Sequence, residues 1–132
     1  MLYMLDTDIC IYTIKKRPAR LIEKVQTLDP KDLAISSITM AELQFGAEKS
    51  TKSQESHEAL DKFVAPFQIL RFDEQAALHY GKIRAFLEKS GTPIGAMDLL
   101  IAAHARSLSL TLVTNNIREF ETVPGLHVEQ WI

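Results

Sequence analysis

One cysteine, Cys10, and one tryptophan stand in a chain of 132 residues. A single thiol cannot close an intramolecular disulfide, so a disulfide-stapled scaffold is excluded and stability must come from a packed core. Cys10 sits in an apolar stretch and is expected to be buried and inert. Glycine and proline are also scarce, five of each, which excludes collagen-like and low-complexity chains. No apolar run reaches the ~20 residues of a membrane helix. The N-terminal run breaks at Asp6, too soon for a signal peptide, so a cytoplasmic protein without a membrane segment is expected. Charge of one sign is lacking too: 15 basic residues face 17 acidic ones, for a net charge of -2. The field of the whole molecule does not favour nucleic acid, and any such contact must use local basic patches.

What is present describes a folded chain. Hydrophobic residues make up 46% and charged residues 24%, proportions that separate it from disordered sequences. A chain this long buries roughly two thirds of the surface its unfolded form exposes, and one domain spanning 1–132 is expected. "LYML" is continuously apolar and reads as a short buried strand, and "DICIYTIKK" as a helix capped by Asp8 or Thr7, with lysines in its last turn. "PARLIEKVQTL" places Leu21, Ile22, Val25 and Leu28 on one helical stripe. "DLAIS" is a second strand, and "SITMAELQFGAEKS" a helix entered through Ser37 or Thr39. Residues 53–67 have helical spacing and "FQILRF" reads as a third strand. "DEQAALHYGKIRAFLEKSG" is a helix from an acidic start to Lys89, stopped at Gly91. "MDLLIAAHARSL" is apolar almost all round, as an interior helix is; "LTLVT" is a fourth strand, and "HVEQW" holds a last one. Strands alternating with helices predict an α/β domain with a mainly parallel sheet and helices on both faces. Ligands then bind beyond the carboxyl ends of the strands, near the point where strand order reverses.

That rule gathers acids from four separated elements. Asp6 ends the first strand, Glu42 lies in the first turns of the helix after the second, and Asp98 interrupts an apolar helix near its start. Asn116 and Glu119 follow the fourth strand. Like charges in one pocket repel and raise one another's pKa values unless a cation neutralises them, and a hard divalent ion, Mg²⁺ or Mn²⁺, answers that need. Zinc is not indicated, because His57, His79, His104 and His127 are scattered and Cys10 is alone. A carboxylate-held metal with open positions suits phosphoryl chemistry. Each acid also has a purely structural reading. Asp8 reads as a helix cap, "TMAE" from Thr39 to Glu42 matches a capping box, and "NIRE" from Asn116 to Glu119 has the same spacing. Asp98 resists such a reading, since an unpaired acid in an apolar helix costs several kcal/mol. His104 reads as a hydrogen-bonded helix residue rather than a ligand. Lys15, Lys16, Arg17, Arg20 and Lys24 crowd two adjacent helices as a solvated face.

"MLDTD", "AEL" with Glu42, "PIGAMDLLIAAHA" with Asp98 and "LVTNNIREF" together resemble, in order and spacing, the PIN-domain ribonucleases, specifically the VapC toxins of bacterial toxin–antitoxin pairs. The resemblance covers essentially the whole chain. It implies a three-layer α/β/α fold and an Mg²⁺- or Mn²⁺-dependent endoribonuclease acting on RNA. Similarity to the enterobacterial branch implies tRNA, down to the initiator tRNA anticodon loop. It further implies a VapB antitoxin, a homodimer, toxin–antitoxin hetero-oligomers, and operator DNA reached only through the antitoxin. Asp6, Glu42 and Asp98 correspond to the family's first three acids. The fourth falls at Asn116, with Glu119 placed to substitute. Asp8 stands where such toxins usually carry Asn or Ser, a departure expected to alter metal occupancy and to impair activity. Two competing readings are weighed beside this one. A strand ending in D-x-D also opens the haloacid-dehalogenase-like phosphatases, but these need a lysine and a further acidic pair after their second motif, and the 18 residues after Thr114 hold no lysine. A PIN-like binding module that has lost its metal is opposed by the acids at Asp6, Glu42 and Asp98.

Overall fold

In the computed structural model, which describes residues 2–132, five short strands form one sheet. They are β1 (Tyr3–Leu5), β2 (Leu33–Ser36), β3 (Gln68–Leu70), β4 (Thr111–Val113) and β5 (Val128–Glu129). Their spatial order is β3-β2-β1-β4-β5, and every adjacent pair is parallel. Parallel neighbours need a long crossover. Helices supply it: α1 (Thr7–Ile14) and α2 (Ala19–Gln26) after β1, α3 (Ser37–Lys49) and α4 (Ser53–Val64) after β2, α5 (Glu74–Lys89) and α6 (Ala96–Ser107) after β3, and α7 (Ile117–Phe120) after β4.

The two-residue period of the strands divides the core. Met4, Ala34 and Leu112 face a cluster with Ile83, Leu87, Leu99, Ile101 and Phe120, which belong to α5, α6 and α7. Leu5, Leu33, Ile35 and Val113 face the other way, onto Ile9, Leu21, Leu43 and Leu60 of α1 to α4. Each such fully buried aliphatic side chain contributes about 1.5–3 kcal/mol. Helices therefore cover both faces, giving the expected three-layer α/β/α arrangement. Strand order reverses at β1, with β2 and β3 laid to one side and β4 and β5 to the other, so the crevice beyond the ends of β1 and β4 is the switch point.

Several local expectations need correction. Helix α1 stops at Ile14, before its lysines, because Lys16 takes a left-handed backbone at φ 59. Its cap is Asp6, whose carboxylate accepts from Thr7 N–H at 2.8 Å, so neither Asp8 nor Thr7 fills that role. Helix α3 is capped by Ser36, one residue before the earliest expected cap, through Ile38 N–H at 3.0 Å. Thr39 is buried in the first turn, and "TMAE" is not a capping box. "FQILRF" and "HVEQW" shorten to three- and two-residue edge strands, a common way to blunt a sheet edge. A 3₁₀ turn at Pro30–Asp32, which no periodicity announces, precedes β2. Helix α5 keeps its expected frame, capped by Asp73 onto Ala76 N–H and ended by Gly91 at φ 72. No helix among the described residues is long and apolar enough to cross a membrane.

Candidate active site

The ends of β1 and β4 lie side by side, and each finishes on a polar residue held by the other. Asp6 N–H donates to the Val113 carbonyl at 2.9 Å, continuing the ladder one step past the strand. The buried Thr114 hydroxyl then donates to Asp6 Oδ2 at 2.8 Å while Thr7 N–H holds Oδ1. Asp6 is thus fixed at the switch point and only 4% exposed. Asp8 is the second residue of α1, where it accepts from Ile9 N–H and from Asn115 N–H at 3.2 Å. Glu42 reaches the rim from α3, and the Thr7 hydroxyl donates to its Oε1 at 2.6 Å.

Asp98 comes from the first turn of α6. Glu119 comes from α7 and accepts from Asn116 Nδ2 and, at 3.0 Å, from Gly95 N–H, the residue preceding α6. At Gly95 a β-carbon would stand in ordinary contact with both carboxylates, 3.6 Å from Asp98 Oδ2 and 3.8 Å from Glu119 Oε1, which places the two acids beside the same backbone position. All four expected acids therefore share one rim. Asn116 joins them through Glu119, as its orienting partner.

The acids shift one another. Burial, and then the charge of Asp8, push Asp6 up to about 7 against the opposing hydrogen bonds of Thr114 and Thr7. Asp98 also rises to about 7, first through burial, then through a hydrogen bond and like charge from Glu119, with Asp6 and Glu42 adding to it. Asp8 is raised, chiefly by burial, and shares a hydrogen bond with Asp6. The rim thus holds two close carboxyl pairs, Asp6 with Asp8 and Asp98 with Glu119. The described ion pairs, His57–Glu48 and Arg84–Glu88, lie elsewhere. Among the described residues, no three His, Cys, Asp or Glu side chains converge tightly enough to hold an ion in the positions they take here. The donor chemistry nonetheless suits a hard divalent cation: it is all oxygen, and none of the described ion pairs brings a basic side chain to these acids.

Three contributors escaped the sequence reading as site residues: Thr7, Thr114 and the Gly95 amide. The two threonines give a local signal, one just past the end of β1 and one directly after β4, but a threonine at a strand end has many commoner reasons to be there, and Gly95 gives none. His104 is not in the cluster. It is 1% exposed, bonded to Ser36 Oγ at 2.7 Å and edge-on to Phe72, as a satisfied helix histidine should be. Cys10 is fully buried, and burial pushes its thiol up, away from reactivity.

Known proteins carry the same frame. The PIN domain family model matches residues 3–126. The tRNA(fMet)-specific endonuclease VapC of Salmonella typhimurium is 46% identical over 129 residues, 98% of this chain and 97% of that protein. The DNA-bound VapBC structure from Salmonella typhimurium superposes with a TM-score of 0.95 at 45% identity, covering all of both chains. That of VapBC2 from Rickettsia felis, bound to a DNA fragment from the promoter, does so with 0.94 at 42% identity, again over both chains in full. With a family model spanning nearly its whole length and relatives this close, the chain belongs to the PIN-domain family, in its VapC ribonuclease branch.

Proposed function

We propose that the chain is a divalent-metal-dependent endoribonuclease that cleaves tRNA, with initiator tRNA the first candidate, and that a VapB-type antitoxin restrains it. One observation carries the reading: acids from four separated elements meet at the switch-point rim, and two of them are pushed to about 7 by burial and by neighbouring carboxylates. A fold tolerates such a cost where the charges serve chemistry.

Asp6 and Asp98 would hold Mg²⁺ or Mn²⁺ directly, Glu42 would complete the shell or orient the attacking water, and Glu119 with Asn116 would hold outer-shell water or a second ion. The bound ion supplies charge stabilisation on the attacked phosphate and orients water. Thr114 and Thr7 keep Asp6 and Glu42 aimed into the crevice, so little reorganisation is left for the reaction. Hydrolysis leaves a 5′-phosphate and a 3′-hydroxyl. A groove of about 380 Å³, lined by Ile11, Ile14, Leu43, Ala47 and Leu60, opens beside Glu42. It is apolar enough to seat an amphipathic antitoxin helix that would cover the site. A toxin–antitoxin hetero-oligomer that reaches operator DNA through the antitoxin follows the DNA-bound VapBC assemblies named for the relatives, and a homodimer follows the family resemblance.

The test is to incubate purified chain, freed of antitoxin, with total tRNA and Mg²⁺ or Mn²⁺, beside an Asp98→Asn variant and an EDTA control. Cleavage lost in both controls supports the reading, and cleavage that survives both overturns the metal mechanism.

A further inference from the structure

The Ser36 hydroxyl occupies an unusual junction. Its residue ends β2 and bonds to His104 of α6, yet it also caps α3, whose later turns pack through Leu43 and Ala47 on the opposite face. Ser36 Oγ accepts from Ile38 N–H at 3.0 Å, so its proton is free for His104 Nδ1, 2.7 Å away on α6. The imidazole is then the neutral tautomer with its proton on Nε2, where the backbone carbonyl of Arg71 is its hydrogen-bonding neighbour. Both side chains are out of solvent, Ser36 at 0% and His104 at 1%. Ser37 extends the same tie, its hydroxyl accepting from Phe72 N–H at 3.1 Å, and Phe72 packs edge-on against the His104 ring.

This short polar chain adds a directional tie between two helices that otherwise meet only through van der Waals contact near the start of α3, where Ile38 packs on the α5/α6 side of the sheet. Helix α3 carries Glu42 and helix α6 carries Asp98. His104 lies six residues past Asp98, about 9 Å along the helix and roughly 120° round it, so it fixes both the rotation and the depth of α6. Apolar contacts alone permit small slides of a helix over a sheet. A buried hydrogen bond does not, because breaking it strands two desolvated groups.

We propose that His104 is a positioning residue: through Ser36 it sets the separation of α3 and α6, and with it the distance between Glu42 and Asp98 across the rim. The inference rests on the metal-dependent reading above for its functional consequence, but not for its geometry.

Two substitutions separate the ring's two bonds. His104→Asn keeps an acceptor near Nδ1 for Ser36 and gives up the Arg71 contact, whereas His104→Gln reaches toward Arg71 and gives up Ser36. Mn²⁺ binding is read by titration calorimetry, tRNA cleavage as kcat and KM, folding as Tm, and the α3–α6 placement from crystal structures of parent and variants. His104→Gln is expected to weaken Mn²⁺ binding and kcat on the order of tenfold with KM nearly unchanged, as loss of an orienting partner does, and to shift α3 against α6. His104→Asn is expected to stay near the parent in those readouts even where its Tm falls. Equal Mn²⁺ affinity and unmoved helices in His104→Gln would overturn the proposal, as would equal damage in both variants. A parent that binds no Mn²⁺ and cuts no tRNA would instead overturn the functional reading, with the helix displacement still deciding the positioning role.

Discussion

Two polar clusters lie within one helix of each other and are built on opposite terms. At the β2–α6 junction, Ser36 and His104 are buried and every bond they offer is taken. At the rim, Asp6, Asp8, Asp98 and Glu119 are gathered with each other as neighbours, and burial and like charge hold Asp6 and Asp98 near 7. The first cluster lowers the free energy of the fold, and the second raises it. Burial alone does not distinguish a structural polar group from a functional one. The sign of its neighbours does.

The sharpest way to test that contrast is to neutralise the rim. Asp98→Asn keeps size and most hydrogen bonding but removes one carboxylate from the crevice, and tRNA cleavage is expected to fall by on the order of 10²–10³-fold. Retention of more than a tenth of the parent rate in steady-state assays would break the assignment. At the junction the expected effect is on stability. Ser36→Ala removes the α3 cap and strands the His104 ring, which together cost about 1–2 kcal/mol, read as a lower urea midpoint with an unchanged slope.

The rim should respond with the opposite sign. A carboxyl that titrates near 7 in the fold and near 3.8 when unfolded binds protons in the fold that the unfolded chain releases. Its contribution is therefore intact below about 4 and is lost as pH rises towards 7. Asp98 is half-exposed, so solvent screening reduces the effect to about 1 kcal/mol. Asp98→Asn should accordingly match the parent in Tm near pH 4 and exceed it by about 3–5 °C at pH 7.5. Mn²⁺ should narrow that gap by stabilising the parent. A variant less stable than the parent at pH 7.5 would mean that the acids at the rim are not in conflict.

The same contrast explains what could be read from the residues. Continuous apolar runs such as "LYML" and "LTLV" announce buried parallel strands, and an acid within "AMDLLIAAHA" has few structural excuses, so the three-layer fold and the four acids were legible. Caps were less so. Ser36, Ser37 and Thr39 all suit an N-terminus locally, and the choice among them is made by His104, 68 residues away. Likewise Thr114 becomes an orienting residue only because β1 and β4 are neighbours, and Thr7 only because α1 packs on α3, pairings that no local pattern encodes. Edge strands are shorter for a similar reason: "HVEQW" mixes the strand formers Val128 and Trp131 with polar residues, but only Val128 and Glu129 find register partners on β4.

Asp8 gives the smallest and most pointed prediction. It was expected to be a cap, and the structure instead sets its charge beside Asp6, where after burial it does most to raise that group's pKa. In Asp8→Asn the amide oxygen can still accept from Asn115 N–H, so the local frame survives while the like charge goes. Asp6 should then ionise at lower pH, and an ionised Asp6 is what a cation needs. The rising limb of cleavage against pH should move to lower pH, with the plateau rate at high pH, where Asp6 is ionised in both proteins, changed less than about twofold. An unmoved limb would show that Asp8 and Asp6 are not coupled. A plateau raised tenfold or more would show that the aspartate at position 8 obstructs the site itself, and that the departure from the usual Asn or Ser makes this chain a weakened member of its branch.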